Sequence, residues 1–208
     1  MYKYFKKVSD ILISFVLIIL LIPLFIIISV AVKCTDGGPV LFKQQRPGKD
    51  GKIFTIYKFR TMSVKTKDKN GRELSDFERI TKIGKILRRF SLDELPQLFN
   101  ILRGEMSLIG PRPLLEEYLV LYTPQQMRRH EVLPGLTGLA QVNGRNTLDW
   151  EERFYFDVYY VDNYNLKLDI IIFLASVKKI FVGEGVNSDT DITMEKYKGK
   201  SEIKEVKR

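Results

Sequence analysis

A chain of 208 residues has room for one domain and an appendage, and 45% hydrophobic residues are enough to bury a core. Lys and Arg number 34 against 25 Asp and Glu, and the net charge of +9 selects anionic partners: lipid headgroups, nucleic acid or a phosphorylated substrate. One cysteine, Cys34, excludes an intrachain disulfide, and one histidine, His130, excludes a multi-histidine metal site and reads as structural.

Residues 11–32 (ILISFVLIILLIPLFIIISVAV) carry no charge. Helical, they would reach about 33 Å, against about 30 Å of bilayer hydrocarbon. The apolar run is too long for a cleaved signal peptide, and no small-residue cleavage site follows it. Pro23 removes one backbone hydrogen bond and crowds the carbonyl of Ile19. Lys3, Lys6 and Lys7 precede the run, and Lys33, Lys43 and Arg46 follow it. Cationic flanks at both ends favour the cytoplasmic side for both. Two readings stay open: a span kinked at Pro23, or a hairpin that enters and leaves on one face.

The turn Asp36-Gly37-Gly38-Pro39 comes next. PVLFKQQRPGKDGKIFTIYKFRTM then predicts two strands joined by PGKDGK. Residues 63–78 are polar and predict an exposed loop. Over 79–90, Ile80, Ile83, Ile86, Leu87 and Phe90 recur at helical spacing among five Lys and Arg, which predicts a basic amphipathic helix suited to a headgroup plane. PQLFNILRG predicts a short helix stopped by Gly104, and Arg112 is held between Pro111 and Pro113. VLPGLTGLAQVNGRN is glycine-rich, with Arg145 after an Asn-Gly turn signal. Helices are predicted at 149–163 and 168–183. The uncharged run 170–177 is too short to span a bilayer. The tail from Gly183 is polar and predicted to be loosely held.

FSLDEL, residues 90–95, sets Asp93 beside Glu94. Structurally, Ser91 and Glu94 fit a capping box, Asp93 suits the first turn of a helix, and Pro96 bends or restarts it. Chemically, adjacent side chains on a helix point about 100° apart. One carboxylate can then attack phosphorus while its neighbour holds a metal. Lys58, Arg60, Arg88, Arg112 and Arg145 are the candidates for cradling an anion; each also reads as an ordinary surface charge.

YKFRTM (57–62), SLDELPQLFNILRGEMSLIGPRPLL (91–115) and PGLTGLAQVNGRN (134–146) resemble the bacterial sugar transferases, the monotopic polyprenyl-phosphate phosphoglycosyltransferases. The similarity covers residues 2–200, with several long motifs in order. Within that family the likeness is nearest to transferases of diacetylbacillosamine phosphate. The resemblance implies an enzyme that moves a phospho-sugar from a UDP-sugar, an N-acetylated amino sugar by that likeness, to undecaprenyl phosphate and releases UMP. It implies a ping-pong mechanism with Asp93 as nucleophile, Glu94 as a Mg²⁺ ligand and Arg112 on phosphate; Lys58, Arg60 and Arg145 lie in family motifs. It also implies a re-entrant helix broken at Pro23, although Ile22 stands where the family has serine.

The expected fold is therefore helix-dominated α+β and monotopic. A re-entrant helix-break-helix covers 1–35, a catalytic body with interfacial amphipathic helices and a small β-hairpin covers 36–185, and a polar tail covers 186–208. The expected setting is the cytoplasmic face of a bacterial plasma membrane, with anionic lipids as further partners. The alternative is a non-catalytic membrane-anchored basic module that binds anionic lipid. Nucleic acid is not expected: the tyrosines cluster in helical segments and offer no strand-based stacking platform.

Overall fold

The computed structural model describes residues 2–144, 147–182 and 196–199. The chain is helix-dominated α+β. Tyr2–Asp36 forms helix α1 of 35 residues, about 52 Å long at the α-helical rise. It lies along the body. Leu17, Ile18 and Leu21 pack on Ile56, Leu98, Ile101 and Met106; Leu24 and Phe25 pack with Ile28, Val32, Phe59 and Leu87. Both ends are bonded to the body. The Tyr2 hydroxyl donates to Asp169 at 2.6 Å, Lys6 Nζ is 2.8 Å from Asp169, and Ser107 donates to Asp10 at 2.5 Å. At the far end Asp36 pairs with Arg60 at 2.6 Å.

The predicted break at Pro23 is not observed: helical structure continues through it. The two core clusters grip α1 on either side of the proline, and Pro23 itself is exposed. Contacts along the whole helix offset the one lost backbone bond. The outward face stays apolar and uncovered, with Leu12, Phe15, Leu20, Ile26 and Ile27 all more than half exposed.

The hairpin is as predicted. β1 (Leu41–Pro47) pairs antiparallel with β2 (Ile53–Phe59), from Leu41 opposite Phe59 to Pro47 opposite Ile53. The polar stretch after it contains a bridge between Lys67 and Glu73 and one helical turn, α2 (Asp76–Arg79), started by a Ser75–Glu78 capping box. The basic helix, predicted from 79, begins later, as α3 (Lys82–Arg89). Ile80 is extended and bridges Met62, and the Thr81 hydroxyl caps the helix by accepting from the Gly84 amide at 2.9 Å.

A 3₁₀ segment (Leu92–Gln97) leads into α4 (Leu98–Leu102), which stops at Gly104 with φ +72°, the left-handed conformation glycine adopts freely. β3 (Ser107–Ile109) follows, then α5 (Pro124–Met127), β4 (Gly135–Thr137) and α6 (Leu139–Asn143). β3 and β4 form a parallel pair that the sequence did not announce. The two predicted late helices are α7 (Trp150–Asn163), with an Asp149–Glu152 capping box, and α8 (Leu166–Val182). Of the tail, 196–199 is docked rather than loose. Tyr197 is buried against Tyr118, Trp150 and Phe154, and its hydroxyl donates to Gln126 at 2.8 Å. The rest of the predicted tail, and Arg145, lie outside the described residues. His130 is buried, with Nδ1 2.9 Å from the Gly48 carbonyl, which fits its structural reading.

Candidate active site

Asp93 and Glu94 open the 3₁₀ segment, but not through the expected capping box. Ser91 is left-handed (φ 54°, ψ 23°) and its side chain caps nothing. The Ser91 carbonyl accepts the Glu94 amide at 3.2 Å, so backbone alone forms the turn. The Glu94 side chain is thereby free to turn elsewhere. Its Oε1 accepts Lys58 Nζ at 2.6 Å and Arg112 Nη2 at 2.5 Å, and its Oε2 accepts Arg112 Nη1 at 3.2 Å. Arg112 thus grips Glu94 with both prongs of its fork, the geometry that suits carboxylate and phosphate alike.

Asp93 is treated differently. Among the described residues it accepts no hydrogen bond and forms no ion pair within bonding distance. Burial, then the charge of Glu94, pushes its carboxyl up to about 6, against partial relief from Lys58, Arg112 and Arg88. For Glu94, burial acts upward too, but Arg112 and Lys58 outweigh it and hold the carboxyl far below its ordinary range. Two neighbouring acids are therefore in opposite states. Glu94 is a saturated anion. Asp93 is an unpaired carboxylate of raised basicity, still mostly ionised at neutral pH.

Each cation is delivered by a distinct element. Lys58 comes from β2, and the pleat turns it to the face opposite its buried neighbour Phe59. Arg88 comes from the last turn of α3. A Cβ on Gly84 would meet the Thr61 carbonyl oxygen at 2.0 Å, so α3 crosses the end of the hairpin at glycine range, and Arg88 Nε then reaches Thr61 Oγ1 at 2.9 Å. Arg112 sits between two buried prolines, and its carbonyl accepts Arg129 Nη2 at 2.6 Å. Arg129 is pinned in turn by Asp157 at 2.7 Å, both almost fully buried.

The structure thus brings together Asp93, Glu94, Lys58, Arg88 and Arg112. It removes Arg60. That guanidinium is buried, donates to the Pro39 and Met62 carbonyls at 2.6 and 3.1 Å and pairs with Asp36, so it anchors α1 and is not a phosphate ligand. Sequence reading missed Arg129 and Asp157. A signal existed: Asp157 lies on the apolar stripe of α7 with Phe154, Val158 and Val161, where a lone carboxylate needs a buried partner.

Residues 1–183 match the bacterial sugar transferase family. The chain is 51% identical over 172 residues to EpsL of Bacillus subtilis, an uncharacterized sugar transferase, covering 83% of this chain and 85% of EpsL. It is 43% identical over 190 residues to the UDP-glucose:undecaprenyl-phosphate glucose-1-phosphate transferase of Klebsiella pneumoniae, covering 86% of this chain and 41% of that enzyme. It is 38% identical over 199 residues to the undecaprenyl-phosphate galactose phosphotransferase of Salmonella typhimurium, covering 88% of this chain and 42% of that one. The chain therefore spans less than half of the last two relatives and most of the first. On the family match over nearly its whole length, the chain belongs to the bacterial sugar transferase family.

Proposed function

We propose that the protein transfers a phospho-sugar from a UDP-sugar to a polyprenyl phosphate, releasing UMP, with Asp93 as the nucleophile. The observation that carries this reading is the asymmetry of the dyad. Asp93 is held basic and unpaired, while its neighbour collects the cations.

In the first step an Asp93 carboxylate oxygen attacks the phosphorus that bears the sugar. The bond from that phosphorus to the bridging oxygen breaks, and UMP leaves with the electron pair. In the second step a phosphate oxygen of the polyprenyl phosphate attacks the same phosphorus. The acyl–phosphate bond breaks, Asp93 is regenerated, and a new diphosphate replaces the one consumed. A carboxylate approaching a diphosphate meets like charge, about 4 kcal/mol per pair at 4 Å and an effective dielectric near 20. Lys58, Arg88 and Arg112 are the groups placed to offset it, since phosphoryl transfer is mostly positioning and charge neutralisation.

The described residues include no cluster of three or more His, Cys, Asp or Glu able to hold a metal. The dyad does fit Mg²⁺ as an ion shared with substrate, because Mg²⁺ is commonly bound by one or two carboxylates, phosphate oxygens and water. Glu94 would hold it, after Lys58 or Arg112 exchanges the carboxylate for phosphate. When bound it would supply charge neutralisation at the diphosphate.

The same proposal takes the protein to be monotopic on the cytoplasmic face of a bacterial plasma membrane. Both ends of α1 are bonded to one body and its middle packs along that body, which supports a helix held on one side of the membrane with the rest of the chain. The uncovered apolar face of α1, and Ile170, Ile171, Phe173 and Leu174 on α8, supply lipid-facing surface. Ile86 in α3 and Phe90 just after it are exposed among Lys82, Lys85 and Arg89, which suits anionic headgroups. Named relatives act on glucose, galactose and N-acetylgalactosamine, so the sugar is open beyond a UDP-sugar.

The test is to mix the native chain with each of a panel of UDP-sugars and no acceptor. A covalent phospho-sugar mass on the peptide carrying Asp93, with stoichiometric UMP, is expected. UMP that appears only when polyprenyl phosphate is also present would remove the covalent intermediate.

A further inference from the structure

Between α1, the hairpin and α4 lies a cavity of about 430 Å³, within the size range of small-ligand sites. Phe25 from α1, Leu41 from β1, Phe59 from β2, Phe99 from α4 and Pro96 line it. We propose that this cavity seats the first isoprene units of the polyprenyl phosphate acceptor, an inference that rests on the transferase reading above.

Three observations favour that occupant. The first is the lining. Phe25 packs against Phe59 and edge-on against Phe99, with ring centroids 5.5 and 5.9 Å apart, so the walls are preformed aromatic surface. Yet Phe99 and Leu41 remain 42% and 38% exposed, which leaves apolar area for a chain to cover. The second is continuity. Phe25 and Ser29 belong to α1, whose neighbouring residues Ile22 and Ile26 are about half exposed on its apolar face. An isoprenoid tail passes from bilayer to cavity without crossing water.

The third is charge. Tyr57, which lines the cavity with Arg103, carries Arg103 over its ring at 5.2 Å and Lys43 at 5.8 Å, and Arg103 Nη1 donates to the Tyr57 hydroxyl at 2.9 Å. Among the described residues neither cation makes a salt bridge. Two cations on one lining tyrosine, with no carboxylate bonded to either, complement the single phosphate of the acceptor. Pro96, which lines the cavity, lies in the same 3₁₀ segment as Asp93, so the cavity adjoins the element that carries the nucleophile.

The experiment uses the full chain in lipid nanodiscs with a diazirine-bearing polyprenyl phosphate, irradiated and mapped by peptide mass spectrometry. Label is expected at Phe25, Leu41 or Phe99, competed by unlabelled polyprenyl phosphate and not by phosphatidylglycerol. In parallel, Phe99→Asp and Leu41→Gln are expected to raise KM for the acceptor about tenfold or more while leaving KM for the UDP-sugar unchanged. Arg103→Gln should raise acceptor KM by a smaller factor.

Label confined to α8 or the outer face of α1 would overturn the proposal. So would equal competition by phosphatidylglycerol, which would make the cavity a general lipid contact. Variants that lower UMP release and transfer in equal measure would make these residues structural. If no UDP-sugar releases UMP under any condition, the transferase reading fails, and the labelling pattern still decides what the cavity holds.

Discussion

Asp93→Asn is expected to abolish transfer and to stabilise the fold at the same time. The carboxyl rests at about 6 against an ordinary 3.8, because burial and then Glu94 disfavour its charge. At 1.36 kcal/mol per unit, those two units amount to as much as about 3 kcal/mol. The sign follows from linkage: a pKa raised in the folded state means the fold binds the proton more tightly than the unfolded chain does. Below pH 4 both states are protonated and no penalty exists. As pH rises through 6 the penalty grows to its full size. Asparagine keeps the shape and removes the charge. The variant should therefore unfold at a higher temperature than the native chain at pH 7.5, by up to about 12 °C for a domain of this size. The gap should close toward zero near pH 4. Thermal unfolding in detergent, followed by near-ultraviolet circular dichroism at both pH values, measures it. An Asp93→Asn chain that is less stable at pH 7.5, or equally shifted at both pH values, refutes the claim that this carboxylate is held against its preference.

Further expected outcomes test the surroundings. Glu94→Gln removes the like charge and frees Lys58 and Arg112, so the acid limb of UMP release should move down by about one unit; Lys58→Met should move it up, and a shift of the same sign in both would contradict the electrostatic account. Asp157→Asn leaves Arg129 charged and buried, and should cost about 3 to 5 kcal/mol in chemical denaturation. Ser91 pays for its left-handed backbone, so Ser91→Gly should hold or raise stability, whereas Ser91→Val should lose about 1 to 2 kcal/mol by the same measurement.

The elements legible in the sequence are those with a strong local signal. The hairpin came from two short strand-like runs joined by the turn residues of PGKDGK, α7 from a helix predicted at 149–163, and the stop of α4 from Gly104. What was not legible depended on contacts far apart in the chain. Each strand of the β3–β4 pair is three residues long, too short to show alternation, and exists because Ser107 and Gly135 meet across the fold. The start of α3 shifted from 79 to 82 because Ile80 found a strand-like partner in Met62. The unbroken course of α1 through Pro23 reflects packing on Leu98 and Ile101, which no inspection of residues 11–32 reveals. Tyr197 docked because four aromatic rings from two other segments made a place for it.

At the site, residue type and spacing named the dyad and its nearest cations but left their roles undivided. Asp93 and Glu94 are adjacent acids with similar ordinary pKa values, and nothing local separates them. The separation comes from elsewhere. Arg112 reaches Glu94 from a proline-locked loop, itself fixed by Arg129 and Asp157 from α7. Lys58 reaches the same carboxylate from β2. Arg60 looked equivalent to Lys58, two positions away on the same strand run, yet it turned to Asp36 and became an anchor. A cation in a motif is thus no guide to what it binds; the carboxylate it meets in space is. By that rule one acid must be satisfied for the other to be left free. The chain therefore needs its cations to converge on Glu94, because every cation that paired with Asp93 instead would lower its basicity and occupy the oxygen that has to attack phosphorus.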